Sequence, residues 1–178
     1  NHIAYEVFQH YGVFDQEGRW NFQVGIWDDH PDYAYAGYGR KDEIQDPKPL
    51  KNTSIDSSHF HRFPRWISSF YESFPEGSDE KEFFYRVRNG LEKQFFEKVL
   101  VLPSEEYPYY RLANFMDGSN GIYRWNYSTI QGNGYGPYEL SGTFTIGWWT
   151  FLGSERSKKM YKDLAEQFPL PEEVIELY

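Results

Sequence analysis

Aromatic rings constrain this chain more than any other feature. Fifteen Phe, sixteen Tyr and six Trp make up 21% of its 178 residues. Each ring buries about 150–250 Å², so rings must supply most of the core, and those the core leaves over become candidate walls of a binding surface. An apolar fraction of 39% is sufficient for one such core. At roughly 150 residues per domain the length predicts a single domain over the whole chain. Cysteine is absent, which removes disulfides, thiolate metal sites and thiol nucleophiles and leaves stability to packing.

Eighteen basic residues stand against 27 acidic ones, a net charge of −9. This balance argues against nucleic acid and against an anionic membrane as partners, because both demand clustered Lys and Arg. A basic protein remains an eligible partner. No apolar run approaches the roughly 20 residues of a membrane span, and no charged-then-apolar leader opens the chain. A soluble protein is expected. Asn1 in place of Met is what a trimmed or processed chain would show, and the compartment is left open.

Periodicity predicts a mainly α protein, a single helical domain with one or two short N-terminal strands and two long ordered loop segments. Ile3, Val7, Phe8 and Tyr11 recur at helical spacing, with Gly12 where a C-terminal cap would sit. From Arg19 to Trp27 the chain alternates, with Trp20, Phe22, Val24 and Ile26 on one side, the pattern of a half-buried strand. Residues 28–58, interrupted by Pro31, Pro47 and Pro49, read as a long loop, and Tyr33, Tyr35 and Tyr38 argue against disorder there. Pro64 can open a helix to about Phe74 that buries Trp66, Ile67, Phe70 and Tyr71.

Ser78 is the natural N-cap of the next helix, whose stripe of Phe84, Val87, Leu91, Phe95 and Val99 is ended by Pro103. Residues 104–134 read as loop, with at most a helical turn around Leu112 to Met116. Segment 137–153 matches strand and helix templates alike, and Pro137 near its start with Gly153 past its end favours helix. Ser154 caps a further helix to Phe168, and Pro171 begins a last short one through Leu177.

Two stretches are dense in side chains capable of acid–base or hydrogen-bonding chemistry. The first runs from Asp56 through His59 and His61 to Arg62. Its two histidines, two residues apart, point to opposite sides of an extended chain. A zinc site would need further ligands from Asp28, Asp29, His30 or Asp56, and nothing in the sequence brings them together, so no metal and no cofactor is expected. The bland alternative is that Asp56 or Ser57 caps a turn while one His packs against Phe63.

The second stretch, Asn114 to Tyr127, interleaves Asp117, Asn120, Arg124 and Asn126 with Tyr123, Trp125 and Tyr127. That inventory suits a sugar, whose ring face stacks on aromatic rings and whose hydroxyls pair with planar amides, carboxylates and guanidinium groups. The bland alternative reads Asp117-Gly and Asn120-Gly as tight turns and the rings as core. A Gly-rich run from Gln131 to Glu139 contains neither a dinucleotide-binding nor a Walker pattern. Its Tyr135 and Glu139, with Tyr138 and Trp148-Trp149, could wall a pocket.

No serine-nucleophile or zinc-hydrolase motif is present, so any catalysis must be carried by carboxylates, as in glycoside hydrolysis. Asp117 and then Asp56 are the first candidates for catalysis. His59, His61, Arg62, Asn120, Tyr123, Arg124, Trp125, Asn126, Tyr135 and Glu139 are the candidates for binding substrate. The leading expectation is a carbohydrate-recognising or carbohydrate-processing domain with an aromatic-lined cleft formed where residues 56–62 and 114–127 meet. Its alternatives are a small acidic inhibitor of the immunity type that binds a basic protein, and a non-catalytic interaction module.

Overall fold

The computed structural model describes residues 1–126 and 132–175. It is mainly helical, with two short two-stranded antiparallel sheets. Helix α1 (His2–Tyr11) leads into β1 (Gly12–Phe14), which pairs with β2 (Trp20–Phe22). The short α2 (Ser57–Phe60) and α3 (Phe63–Ser73) follow the long irregular segment, then α4 (Asp79–Gln94). Strands β3 (Leu100–Val101) and β4 (Arg111–Leu112) form the second sheet, and α5 (Glu155–Glu166) and α6 (Glu172–Ile175) close the described chain. Among the described residues no helix is long and apolar enough to cross a membrane.

Helix α4 forms where its cap and stripe coincide. The Ser78 hydroxyl accepts the Lys81 N–H at 3.2 Å, Asp79, Glu80 and Glu82 sit at the positive end of the dipole, and the stripe from Phe84 to Val99 is fully buried. After Gln94 the helix widens into a π-helical turn, Phe95–Val99, so it stops short of Pro103. The core it covers is built from rings. Phe8 stacks on Trp20 with centroids 5.6 Å apart, Phe60 on Phe63 at 4.1 Å, and Phe95 on Trp149 at 4.1 Å.

Four expectations from periodicity are corrected. The strand from Arg19 ends at Phe22, because Gln23 turns to φ 53° and Gly25 to φ 75°, leaving Val24, Ile26 and Trp27 exposed. The helix over 137–153 is instead two 3₁₀ turns, Ser141–Ile146 and Trp148–Leu152, parted by a left-handed Gly147 at φ 82°. Thr143, Thr145 and Thr150 each donate their hydroxyl to the carbonyl three residues back at 2.7–2.9 Å, which favours the tighter turn over an α-helix. The run from Leu112 to Met116, where at most a helical turn was expected, contains none; Leu112 belongs to β4 and Phe115 bridges Asp56. Trp66, placed in the core by its spacing on α3, is exposed, and on α1 only Phe8 of the expected apolar face is buried. Gln131, Tyr127 and Leu177 lie outside the described residues.

A second, smaller core of Tyr33, Ala36, Phe115, Tyr123 and Leu140 joins the two irregular segments. The segments touch backbone to backbone: a Cβ on Gly121 would lie 1.6 Å from the Ala36 carbonyl oxygen. Gly121→Ala is therefore expected to destabilise the protein by about 3 kcal/mol or more, above the usual cost of overpacking because backbone cannot rotate away. A urea midpoint equal to that of the parent would refute this contact.

Candidate functional site

Three segments distant in sequence enclose one open hollow of about 450 Å³. The loop that leaves β2 contributes Gln23, Trp27, His30, Asp32 and Tyr33. The chain entering α2 and α3 contributes Ile55, Asp56, His59, Arg62, Phe63 and Trp66, and the third side is Tyr123 with Arg124. Trp27 and Trp66 remain 39% and 45% exposed.

Each segment is fixed by bonds that stand in for a sheet ladder. The Asp28 carboxylate accepts the N–H groups of Asn52 and Thr53 at 2.8 and 3.0 Å, tying the β2 exit loop to the chain before α2. Arg124 clamps Asp32 twice, by backbone N–H to carbonyl at 2.9 Å and by Nε to Oδ2 at 3.0 Å. Arg124 adopts φ 60° there. Residues 55–57 pair with 114–116 through Ser57 N–H to Asn114 O at 2.8 Å and Met116 N–H to Ile55 O at 3.0 Å.

Asp56 occupies the centre of this arrangement, 1% exposed. Its Oδ1 caps α2 by accepting the His59 N–H at 2.9 Å and also takes the Ser58 hydroxyl. His59 Nδ1 lies 3.0 and 2.8 Å from the two carboxylate oxygens. Burial alone would raise the Asp56 pKa, but the bond and charge of His59 and the Ser58 hydroxyl outweigh it and hold the carboxyl below its ordinary value. A carboxylate so held orients His59 with a hydrogen on Nδ1 and leaves Nε2, among the described residues, without a partner. Burial, and then the nearby Asp56 charge, push the Tyr33 and Tyr123 phenols far above their usual range, so both remain hydroxyls.

Of the side chains singled out in the sequence, Asp56, His59, Arg62, Tyr123 and Arg124 meet in the hollow. The others serve elsewhere. Asp117 lies apart, its Oδ1 accepting the Ser119 N–H at 2.7 Å and its Oδ2 the Ser54 N–H at 3.2 Å, so its acceptors complete a turn. Asn120 Oδ1 accepts the N–H groups of Asn114 and Tyr138 at 3.1 and 3.0 Å. His61 turns away, its Nδ1 against the Ser58 carbonyl and its ring 5.2 Å from Trp148. Asn126 donates to the Tyr35 hydroxyl at 2.9 Å and Trp125 packs beside the same ring. Glu139 pairs with Lys41 at 2.7 Å, and Tyr135 bridges Tyr123 through the backbone.

Sequence reasoning named Asp28, Asp29 and His30 as prospective zinc ligands but missed Trp27, Asp32, Tyr33 and the outward face of Trp66 as walls of the hollow. The run from Trp27 to Tyr33 carries its own signal: an indole, three acids, an imidazole and a phenol within seven positions. Among the described residues no three His, Asp or Glu side chains converge as a metal site. Comparison with protein-family models, curated proteins and solved structures yields no match to this chain.

Because the folded Asp56 pKa lies below the unfolded value, its ionised form favours the folded state. That contribution is complete at neutral pH and drains away as pH falls through about 3.9 toward the folded pKa. Asp56→Asn, which keeps a cap acceptor without the charge, is expected to cost about 1.5–3 kcal/mol at neutral pH and to flatten the acid limb of stability. Urea unfolding measured across the acidic range checks both, and an unaltered limb would contradict the assignment.

Proposed function

We propose that the protein recognises a saccharide in this hollow. The observation that carries the reading is the pair of part-exposed indoles, Trp27 and Trp66, at one hollow whose polar wall comes from Gln23, His30, Asp32, His59, Arg62 and Arg124. A sugar ring offers an apolar face to such indoles and hydroxyl groups to such a wall. Trp66 is seated on a rigid floor, since its ring lies 5.2 Å from Phe63, which itself stacks on Phe60 in the core. A ligand on that floor meets a surface already ordered, which lowers the entropic cost of binding.

The chemistry at Asp56 favours recognition over two-carboxylate hydrolysis. A glycosidase acid needs a carboxyl raised in pKa by apolar surroundings, whereas Asp56 is held low by His59 and Ser58. It suits a positioning residue that acts through His59.

Titration calorimetry with a panel of oligosaccharides tests the proposal, with indole fluorescence as an independent readout. Trp66→Ala and Trp27→Ala are each expected to weaken binding by about ten-fold, the loss of one stacking contact, with little change in thermal midpoint. Asp117→Ala is expected to lower stability by about 1–2 kcal/mol through its lost turn bonds and to leave affinity unchanged. Absence of heat and of fluorescence change with every oligosaccharide at millimolar concentration would end this reading.

A further inference from the structure

We infer that the saccharide bound in this hollow carries a carboxylate, as a uronic acid does, and that Arg62 is its anchor with His30 alongside. The inference rests on the saccharide reading above and narrows it to a class of ligand. Its basis is the unpaired Arg62 guanidinium beside acids that the protein itself already pairs.

The acids of the hollow are engaged by the protein itself. Asp56 accepts from His59 and Ser58, and Asp32 accepts from Arg124 at 3.0 Å with the Tyr123 hydroxyl at 3.5 Å. Arg124 is thereby engaged as well, and Arg62 is not. The half-buried Arg62 side chain lines the hollow, and among the described residues no hydrogen bond or ion pair reaches its guanidinium. His30 Nδ1 accepts the Asp32 N–H at 3.2 Å, which assigns the neutral tautomer with its hydrogen on Nε2, a donor.

A neutral sugar hydroxyl would take one hydrogen bond from such a guanidinium and leave its charge unpaired. A carboxylate accepts only, and its two oxygens match the planar fork of one guanidinium. One unpartnered guanidinium corresponds to one negative charge. Arg19, Arg40 and Arg124 pair with acids, and Arg65, Arg86, Arg88, Arg111 and Arg156 lie over rings, whereas among the described residues Arg62 has neither kind of partner. The backbone marks the same hollow independently of its charges. Gln23 at φ 53° and Arg124 at φ 60° are two of the four non-glycine residues with positive φ among those described, and both line this hollow. Strained backbone of this kind persists where the surrounding structure holds a functional geometry.

The test compares matched ligands by titration calorimetry: oligogalacturonate, oligomannuronate and oligoglucuronate beside the neutral galactose, mannose and glucose oligomers of the same linkage. At least one uronate is expected to bind about ten-fold or more tightly than its neutral counterpart, the strength of one charge-assisted hydrogen bond. Added salt should weaken only that uronate. Arg62→Gln should bring its affinity down to the neutral level, and Arg62→Lys, which keeps charge without the fork, should restore part of the difference. Circular dichroism verifies folding, and the salt series on the unaltered protein tests the inference independently of any variant. Equal affinity for acidic and neutral oligomers, or a uronate preference that Arg62→Gln leaves intact, would overturn the carboxylate inference while the saccharide reading stood. Binding of neither class would overturn both.

Discussion

Backbone N–H and C=O groups in the long irregular segments must be satisfied without a sheet to do it, and the rest of the structure depends on how this is met. Buried polar side chains replace the missing ladder. Asn114 donates through Nδ2 to the carbonyls of Gly121 and Gly136 at 2.9 and 2.8 Å, Asn120 accepts two N–H groups, and Asp28 accepts two more. Each of these bonds is worth about 1 kcal/mol net, but leaving a buried partner unmade costs about 1–3 kcal/mol. Losing one would therefore release a segment rather than merely weaken it. The hollow exists because the β2 exit loop, the α2 entrance and residues 123–124 are all held in this way.

Asp56 carries the same logic one step further. As an N-cap it satisfies the start of α2, and through its backbone bridge to Phe115 it joins the two irregular segments. Its carboxylate, removed from water, is tolerated because every bond it accepts is short and one partner is an imidazole. The fold therefore fixes the orientation of His59 as a by-product of ending a loop. Stability and site geometry are here the same interaction, which ties the acid sensitivity of one to the other.

Helices with both a cap and a buried stripe were legible in the sequence. Ser78 with the stripe of α4 and Ser154 ahead of α5 are such cases, and Ser154 does accept the Ser157 N–H at 3.1 Å. Segment 137–153 was not legible, because its helical spacing is shared by a pair of 3₁₀ turns, and only threonine side-chain bonds and a left-handed glycine separate the two. Residue type singled out Asp56, His59, Arg62, Tyr123 and Arg124, which the fold brings to one hollow. It singled out Asp117 and Asn120 as well, which bond within loops away from that hollow, since an amide or carboxylate that wires a loop is chemically identical to one that meets a ligand. Trp66 was hidden by its own position: spacing on α3 assigned it to the core, while the neighbouring Ile67 took that place.

The surplus of rings explains why the hollow lies where it does. Phe8, Trp20, Phe22, Phe60 and Phe63 already contact one another at centroid distances of 4.1–6.4 Å. A core so filled admits no further indole without strain. Trp66, next along α3, is left at the edge of this cluster in contact with Phe63. On the same hollow the chain leaves β2 at Gln23 and exposes Trp27, whose ring meets His30 edge-on at 5.5 Å and 88°. One indole thus stands on a helix and the other on a loop that Asp28 and the Arg124–Asp32 clamp hold down. Both line one hollow, each carried there by a different segment of the chain.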